Sequence, residues 1–246
     1  MSGIRIAALY GIIPHKLGLC GPKEALKEKI LEKFLLGKNN IKLSRVRKTL
    51  KKFKGAYPYY ELIAKSNKIK DPFDEKVVSA YWVGNDLLQK VKIKDLQKMI
   101  IKDFSGSELL SKEVALKKAK TISKNSKPHH SFHVLTIGSV TGSISFDNLR
   151  LKDTCRISWG KIIKIVPGKT KNIIKILIEY QPLAINKKIK FGKPIKKYIL
   201  GDKNIIEEVK KDDWISFHWN YLVQKLTKKE IADLKKYTLI TLNSLK

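Results

Sequence analysis

The chain has 246 residues, 43% hydrophobic and 30% charged, so it has ample apolar surface for a core and lacks the composition of a disordered polymer. A net charge of +30 would suit a polyanionic partner, yet it comes from 47 Lys against 5 Arg, spread along the whole chain. Arginine is the side chain that bidentate phosphate and base contacts favour, so specific nucleic-acid recognition is not the leading expectation.

At this length one large domain or two small ones are expected, and the patterning favours two. The apolar stretch at 4–13 contains Arg5 and falls well short of the ~20 residues that span a bilayer. Residues 1–15 lack the basic leader and cleavage site of a secretory signal, so a cytoplasmic protein with no membrane segment is expected. Apolar residues then recur at helical spacing up to about Ile122. Pro22 opens a helix whose Leu26, Ile30 and Phe34 share a face, and Leu43, Val46, Leu50 and Phe53 repeat the pattern. Beyond a turn at 55–58, helices are predicted over 60–64, 77–88, 94–104 and 108–120, with Asp74 as N-cap of the second. Tyr81-Trp82-Val83-Gly84-Asn85 reads as an aromatic helix face with a close contact at Gly84 rather than a cofactor box.

The polar segment 123–128, ending in Pro128, marks a boundary between a helical domain (1–122) and a second domain (123–246). Beyond it the period changes to two. In 155–166 the odd positions Cys155, Ile157, Trp159, Ile163 and Ile165 are apolar, which describes a half-buried strand. Pro167-Gly168 turns it into a second strand over 172–180, where Ile174, Ile176, Ile178 and Tyr180 share a face. Shorter strands at 189–191, 195–200 and 214–219 supply enough edges to close a small OB-like barrel. Thr227 and Glu230 have capping-box spacing, and Ile231, Leu234, Tyr237, Leu242 and Leu245 form the stripe of a last helix. The fold class expected is α+β: a helical N-terminal domain, then a small β-barrel with a C-terminal helix.

The seven soft metal ligands fall in four short segments: His15 with Cys20, His129 with His130 and His133, Cys155 alone, and His218 alone. Imidazole and thiolate bind transition metals well, so this confinement makes all seven candidate ligands, although none has a standard zinc spacing. Cys20 and Cys155 lie in different motifs and read as two thiols rather than a disulfide. On a helix His129 and His133 share a side as i and i+4; on a strand they again share one, with His130 opposite. His218 has the opposite strand parity to Ile215, Phe217 and Trp219, which would turn it toward solvent or a turn. Each has a bland alternative: a packed thiol, or a hydrogen-bonded histidine between domains. Residues 138–142 are too short for a phosphate-cradling loop, and no Ser sits in a nucleophile elbow.

Cys155-Arg156-Ile157-Ser158-Trp159-Gly160-Lys161-Ile162 resembles the start of the hydrogenase assembly chaperones of the HypC/HupF/HybG family. Those proteins begin with a cysteine, three residues, proline, glycine, a basic residue and a Val- or Ile-rich strand; here Trp159 replaces the proline. Asp212-Asp213-Trp214-Ile215-Ser216-Phe217-His218, continuing to Leu226, resembles the second signature of that family, with His218 and Leu226 at its histidine and leucine. The resemblance covers residues 153–246, with Cys155 internal rather than next to an initiator Met and a longer insertion at 180–212. It implies that Cys155 and His218 hold an iron carrying cyanide and carbonyl ligands for a hydrogenase large subunit or a maturation scaffold. The whole chain also resembles an uncharacterised family, loosely associated with hydrogenase gene neighbourhoods, through Leu17 to Pro22, Tyr81 to Asn85 and Pro128 to His133.

The leading expectation is therefore a non-catalytic accessory or assembly chaperone for nickel-iron hydrogenase maturation. Two others stand beside it: a metal-dependent enzyme using the Cys/His cluster to activate water, and a basic nucleic-acid-binding barrel.

Overall fold

The computed structural model describes residues 1–19, 21–38, 41–105, 109–138 and 148–245. Helix α1 (Gly3–Lys16) is apolar on nearly every side, and Ile4, Ile6, Ala7, Ala8, Leu9, Tyr10 and Ile12 are all buried, as a helix without a polar face must be. Against it pack α3 (Ile30–Leu35), α4 (Leu43–Lys51) and α6 (Glu75–Trp82), while α2 (Lys23–Lys27) sits on α3 and α5 (Tyr57–Ser66) on α6. The helix expected from Pro22 is split into α2 and α3 at Lys29, which adopts a φ of 53°. Asp74 caps α6 by accepting from the Lys76 N–H. The helix expected over 77–88 stops at Trp82, because Gly84 takes a φ of 101° and a 3₁₀ turn, Asp86–Lys90, follows. Next come α7 (Ile93–Met99), continued by a π turn to Phe104, and α8 (Lys112–Thr121). The expected start of α8 at Glu108 and most of the glycine-bounded stretch 138–142 lie outside the described residues.

Two short helices lead into the barrel. They are α9 (His130–Phe132), continued by a π turn to Ile137, and α10 (Leu149–Cys155). Cys155 thus ends a helix instead of opening a strand. Its neighbour Arg156 is the extended C-cap, and β1 (Ser158–Pro167) begins only after it. The remaining strands are β2 (Ile173–Tyr180), β3 (Leu183–Asn186), β4 (Lys188–Phe191), β5 (Ile195–Asp202), β6 (Trp214–His218) and β7 (Tyr221–Lys225). Five of them close in the order β1-β2-β5-β7-β6 and back to β1, with β5 and β7 parallel, while β3 and β4 form a separate hairpin. This is an OB-like barrel.

Ile162, Ile174, Ile176, Ile178, Tyr180, Ile199, Ile215, Phe217 and Leu222 fill the barrel. Strand β2 behaves as its alternation predicts. Ile157, just before β1, joins the core shared with the helices and Ile162, an odd number of residues on, faces the barrel interior; a bulge between Ile162 and Lys164 then shifts the parity so that Ile165 packs on the barrel core too. That shared core contains Ile4, Val46, Leu88 and Phe104 together with Ile157, Ile205, Val223, Leu226, Leu234 and Tyr237. The last helix, α11 (Lys228–Asn243), starts with the expected Thr227–Glu230 capping box. No described helix is long and apolar enough to cross a membrane.

Candidate metal centre

The site lies where β6 packs on α1 and α9. Strand β6 is buried on both faces: Ile215 and Phe217 point into the barrel, whereas Ser216 and His218 meet the helices. The parity assigned to His218 is therefore real, but the face opposite the barrel core is covered by α1 instead of water. His218 is only 2% exposed. The strand ends there because Trp219 and Asn220 both take positive φ, 53° and 65°, the geometry of a tight hairpin turn into β7.

Three candidate ligands converge. Cys155 Sγ is 3.8 Å from His218 Nε2 and 4.0 Å from His130 Nε2, and the three atoms all lie within 4.8 Å of one another. A tetrahedral ion with bonds of about 2.3 Å to sulfur and 2.0–2.1 Å to nitrogen separates S and N by about 3.6 Å. The two sulfur–nitrogen gaps close with a few tenths of an ångström and the two imidazoles must draw together further, so the donor types fit an ion after a local adjustment. A cavity of about 30 Å³ adjoins the donors, lined by Gly11, Pro14, Phe53, Lys54, Tyr81, Trp82 and His133 among others. Since one water needs roughly 10–15 Å³, it can admit a small ligand.

Both imidazoles are held neutral, as ligands must be. Burial pushes His218 down to about 4, opposed in part by its bonds to the Tyr10 and Cys155 carbonyls. Burial also drives His130 well below the ordinary value, helped by the nearby His218 and His133 rings. His218 Nδ1–H donates to the Tyr10 carbonyl at 2.8 Å, which leaves its Nε2 lone pair beside the Cys155 sulfur and near the Cys155 carbonyl. The His130 ring spans the Tyr81 hydroxyl, 3.1 Å from Nδ1, and the Cys155 carbonyl, 3.0 Å from Nε2; the Tyr81 hydroxyl also donates to the Gly55 carbonyl at 2.6 Å. Those three contacts share two protons, one from Tyr81 and one from a neutral His130. A cation at Nε2 relieves the shortage, with Nδ1–H donating to Tyr81.

Aromatic rings wall the site. Trp82 lies 4.6 Å from the His130 ring and stacks on Tyr10 at 4.9 Å, 7° from parallel, while its indole N–H donates to Tyr60. Beside Cys155, the buried Arg156 donates through Nε to Asp153 and through Nη2 to the Gln181 carbonyl, and its guanidinium faces Phe191 and Trp159. Asp153 also accepts from the Tyr180 hydroxyl and the Leu183 N–H. This network ties the end of α10 to the hairpin.

The other candidates stand apart from the cluster. His129 caps α9 by accepting from the Ser131 N–H and stacks on Tyr237, with burial holding it at about 3. His133 lines the cavity and bonds the Tyr59 hydroxyl at 3.2 Å. His15 is buried against Phe53. Cys20 lies outside the described residues. Tyr81, Trp82, Tyr10, Asp153 and Arg156 had no site role in the sequence reading; the available signal was proximity to Cys155 for Asp153 and Arg156 and membership of the aromatic segment for Tyr81 and Trp82, and Tyr10 had none.

Fold and site together define a helical protein built onto an OB-like barrel, with a buried thiol-imidazole cluster that can hold a metal ion. The chain belongs to DUF6390, a family of unknown function whose model matches residues 1–246. No curated protein and no solved structure matches it.

Proposed function

We propose that this protein is an assembly factor that carries an iron centre for nickel-iron hydrogenase maturation, with Cys155, His218 and His130 as the carrying groups. The observation that supports it is the 3.8 Å approach of Cys155 Sγ to His218 Nε2, which joins the two segments resembling the hydrogenase chaperone signatures. A thiolate donates strongly to iron, and two neutral imidazoles complete a donor set suited to a transition metal and poor for Mg²⁺ or Ca²⁺. Three protein donors leave coordination positions for small ligands such as cyanide and carbon monoxide, and a small cavity lies beside them.

The test is anaerobic purification from the native host followed by metal analysis and infrared spectroscopy. Stoichiometric iron with cyanide and carbonyl stretches is expected, with a hydrogenase large subunit or maturation scaffold among the copurifying proteins. Cys155→Ser should abolish iron retention while the unfolding midpoint stays within a few degrees, since oxygen for sulfur barely changes the volume. Loss of the fold in that variant would make the thiol structural.

A second reading is favoured by one specific feature: three donors beside open space is also the plan of a catalytic zinc site that activates water. Stoichiometric zinc without the infrared bands would put a metal-dependent enzyme in place of the carrier.

A further inference from the structure

Helix α1 contains a proline in its interior, Pro14, on the wall of the cavity beside Cys155 and His218. Proline has no N–H, so the carbonyl four residues earlier loses its intrahelical donor. That carbonyl belongs to Tyr10. A buried carbonyl needs another donor, and His218 Nδ1 stands 2.8 Å from it. The carbonyl can only accept, so a proton on this contact is the imidazole's; the Cys155 carbonyl competes for that one proton from the other side of the ring, and the 2.8 Å contact at Nδ1 favours the Nδ1–H tautomer.

Tyr10 is also held at its other end. Its ring stacks on Trp82, and its hydroxyl lies 2.9 Å from Ser216 Oγ. Ser216 and His218 are two apart on β6 and face the same way, so one residue of α1 is gripped by the strand at both its side chain and its carbonyl.

We propose that Pro14 is a positioning residue for the metal centre. By withholding an N–H from Tyr10, it leaves that carbonyl to set the tautomer and ring orientation of His218, and so designates Nε2 as the atom offered beside Cys155 Sγ. The metal part of this statement rests on the function proposed above; the tautomer part stands without it. A proline used only to bend α1 would leave the His218 tautomer indifferent to its replacement.

The test is Pro14→Ala in the full chain, read by long-range ¹H–¹⁵N correlation of the histidine rings and by Zn²⁺ and Co²⁺ titration. Wild type should show His218 with a protonated Nδ1 and a bare Nε2. In the variant the backbone N–H restored at position 14 competes for the Tyr10 carbonyl, so His218 should become a tautomer mixture and metal affinity should fall about 10-fold or more. Tyr10→Phe keeps the carbonyl and should keep the tautomer. A wild-type His218 protonated at Nε2 overturns the proposal even if Pro14→Ala fails to fold. So does a folded variant with an unchanged tautomer. A shifted tautomer in a protein whose wild type binds neither metal would sustain the positioning role and sink the metal-centre reading.

Discussion

Among individual residues the histidines set the acid limit of the fold. His218 and His129 are buried neutral, near 4 and 3, and His130 is also pushed far down. In the unfolded chain each takes up a proton near pH 6.5. Between that value and its folded one, each binds more protons unfolded than folded, so stability falls as pH is lowered and is fully present above about 6.5. Each contributes a slope of roughly 1.4 kcal/mol per pH unit, and the share of His218 is exhausted by about pH 4. Denaturant titrations of metal-free protein should show a midpoint dropping steeply below pH 6, and His129→Gln should flatten it; a midpoint level from pH 7 to 4.5 would contradict the buried neutral rings. Cys155 and His218 were legible beforehand because each sits in a distinctive segment. His130 could not be chosen over His129 and His133, since helical spacing groups 129 with 133 and what selects 130 is the reach of α9 toward α10.

For the elements, the end of α10 is set by the pair of Asp153 and Arg156, where Arg156 is 1% exposed. Replacing Asp153 with Ala strands a buried guanidinium and frees the Leu183 N–H, so a loss of about 3–5 kcal/mol is expected, with the hairpin β3–β4 loosened first. Hydrogen exchange at Leu183 measures that directly, and unchanged protection there would remove the clamp from this account. Alternation predicted β2 and the capping box predicted α11, because both are written in local spacing. It misread β1, where the bulge after Ile162 cannot be seen in a string of Ile and Lys. It also missed β7, whose entry turn is Trp219-Asn220 without a glycine. The burial of His218 was illegible for a different reason: alternation reports two faces of a strand but not that a helix covers the second.

Across the whole molecule, helices and barrel share one apolar core, and α11 returns to the helical part after the barrel has closed. Gly84 is the seat of that return. A Cβ there would stand 2.3 Å from the Tyr237 ring, and the Tyr237 hydroxyl donates to the neighbouring Asn85 carbonyl. With a φ of 101° as well, Gly84→Ala should cost about 2 kcal/mol or more, and proteolysis should find the α11 end first. A variant as stable as wild type would mean that α11 docks elsewhere. The sequence carried this contact only as a glycine after an aromatic pair, without its distant partner.

Lys54 forms part of the cavity wall, in a molecule of net charge +30. A summed charge of +30 sets up a positive potential around the molecule through which a metal approaches. A bare divalent ion climbs that potential, whereas an iron already made anionic by cyanide descends it. Salt screens such fields beyond about 10 Å at 0.1 M, so the two cargoes should respond with opposite sign. Stopped-flow uptake of Co²⁺ should quicken as ionic strength rises, and uptake of an anionic iron-cyanide complex should slow. The surplus of lysine would then act as a kinetic sieve, rejecting the free cations of the cell and admitting a metal that arrives already dressed in negative ligands.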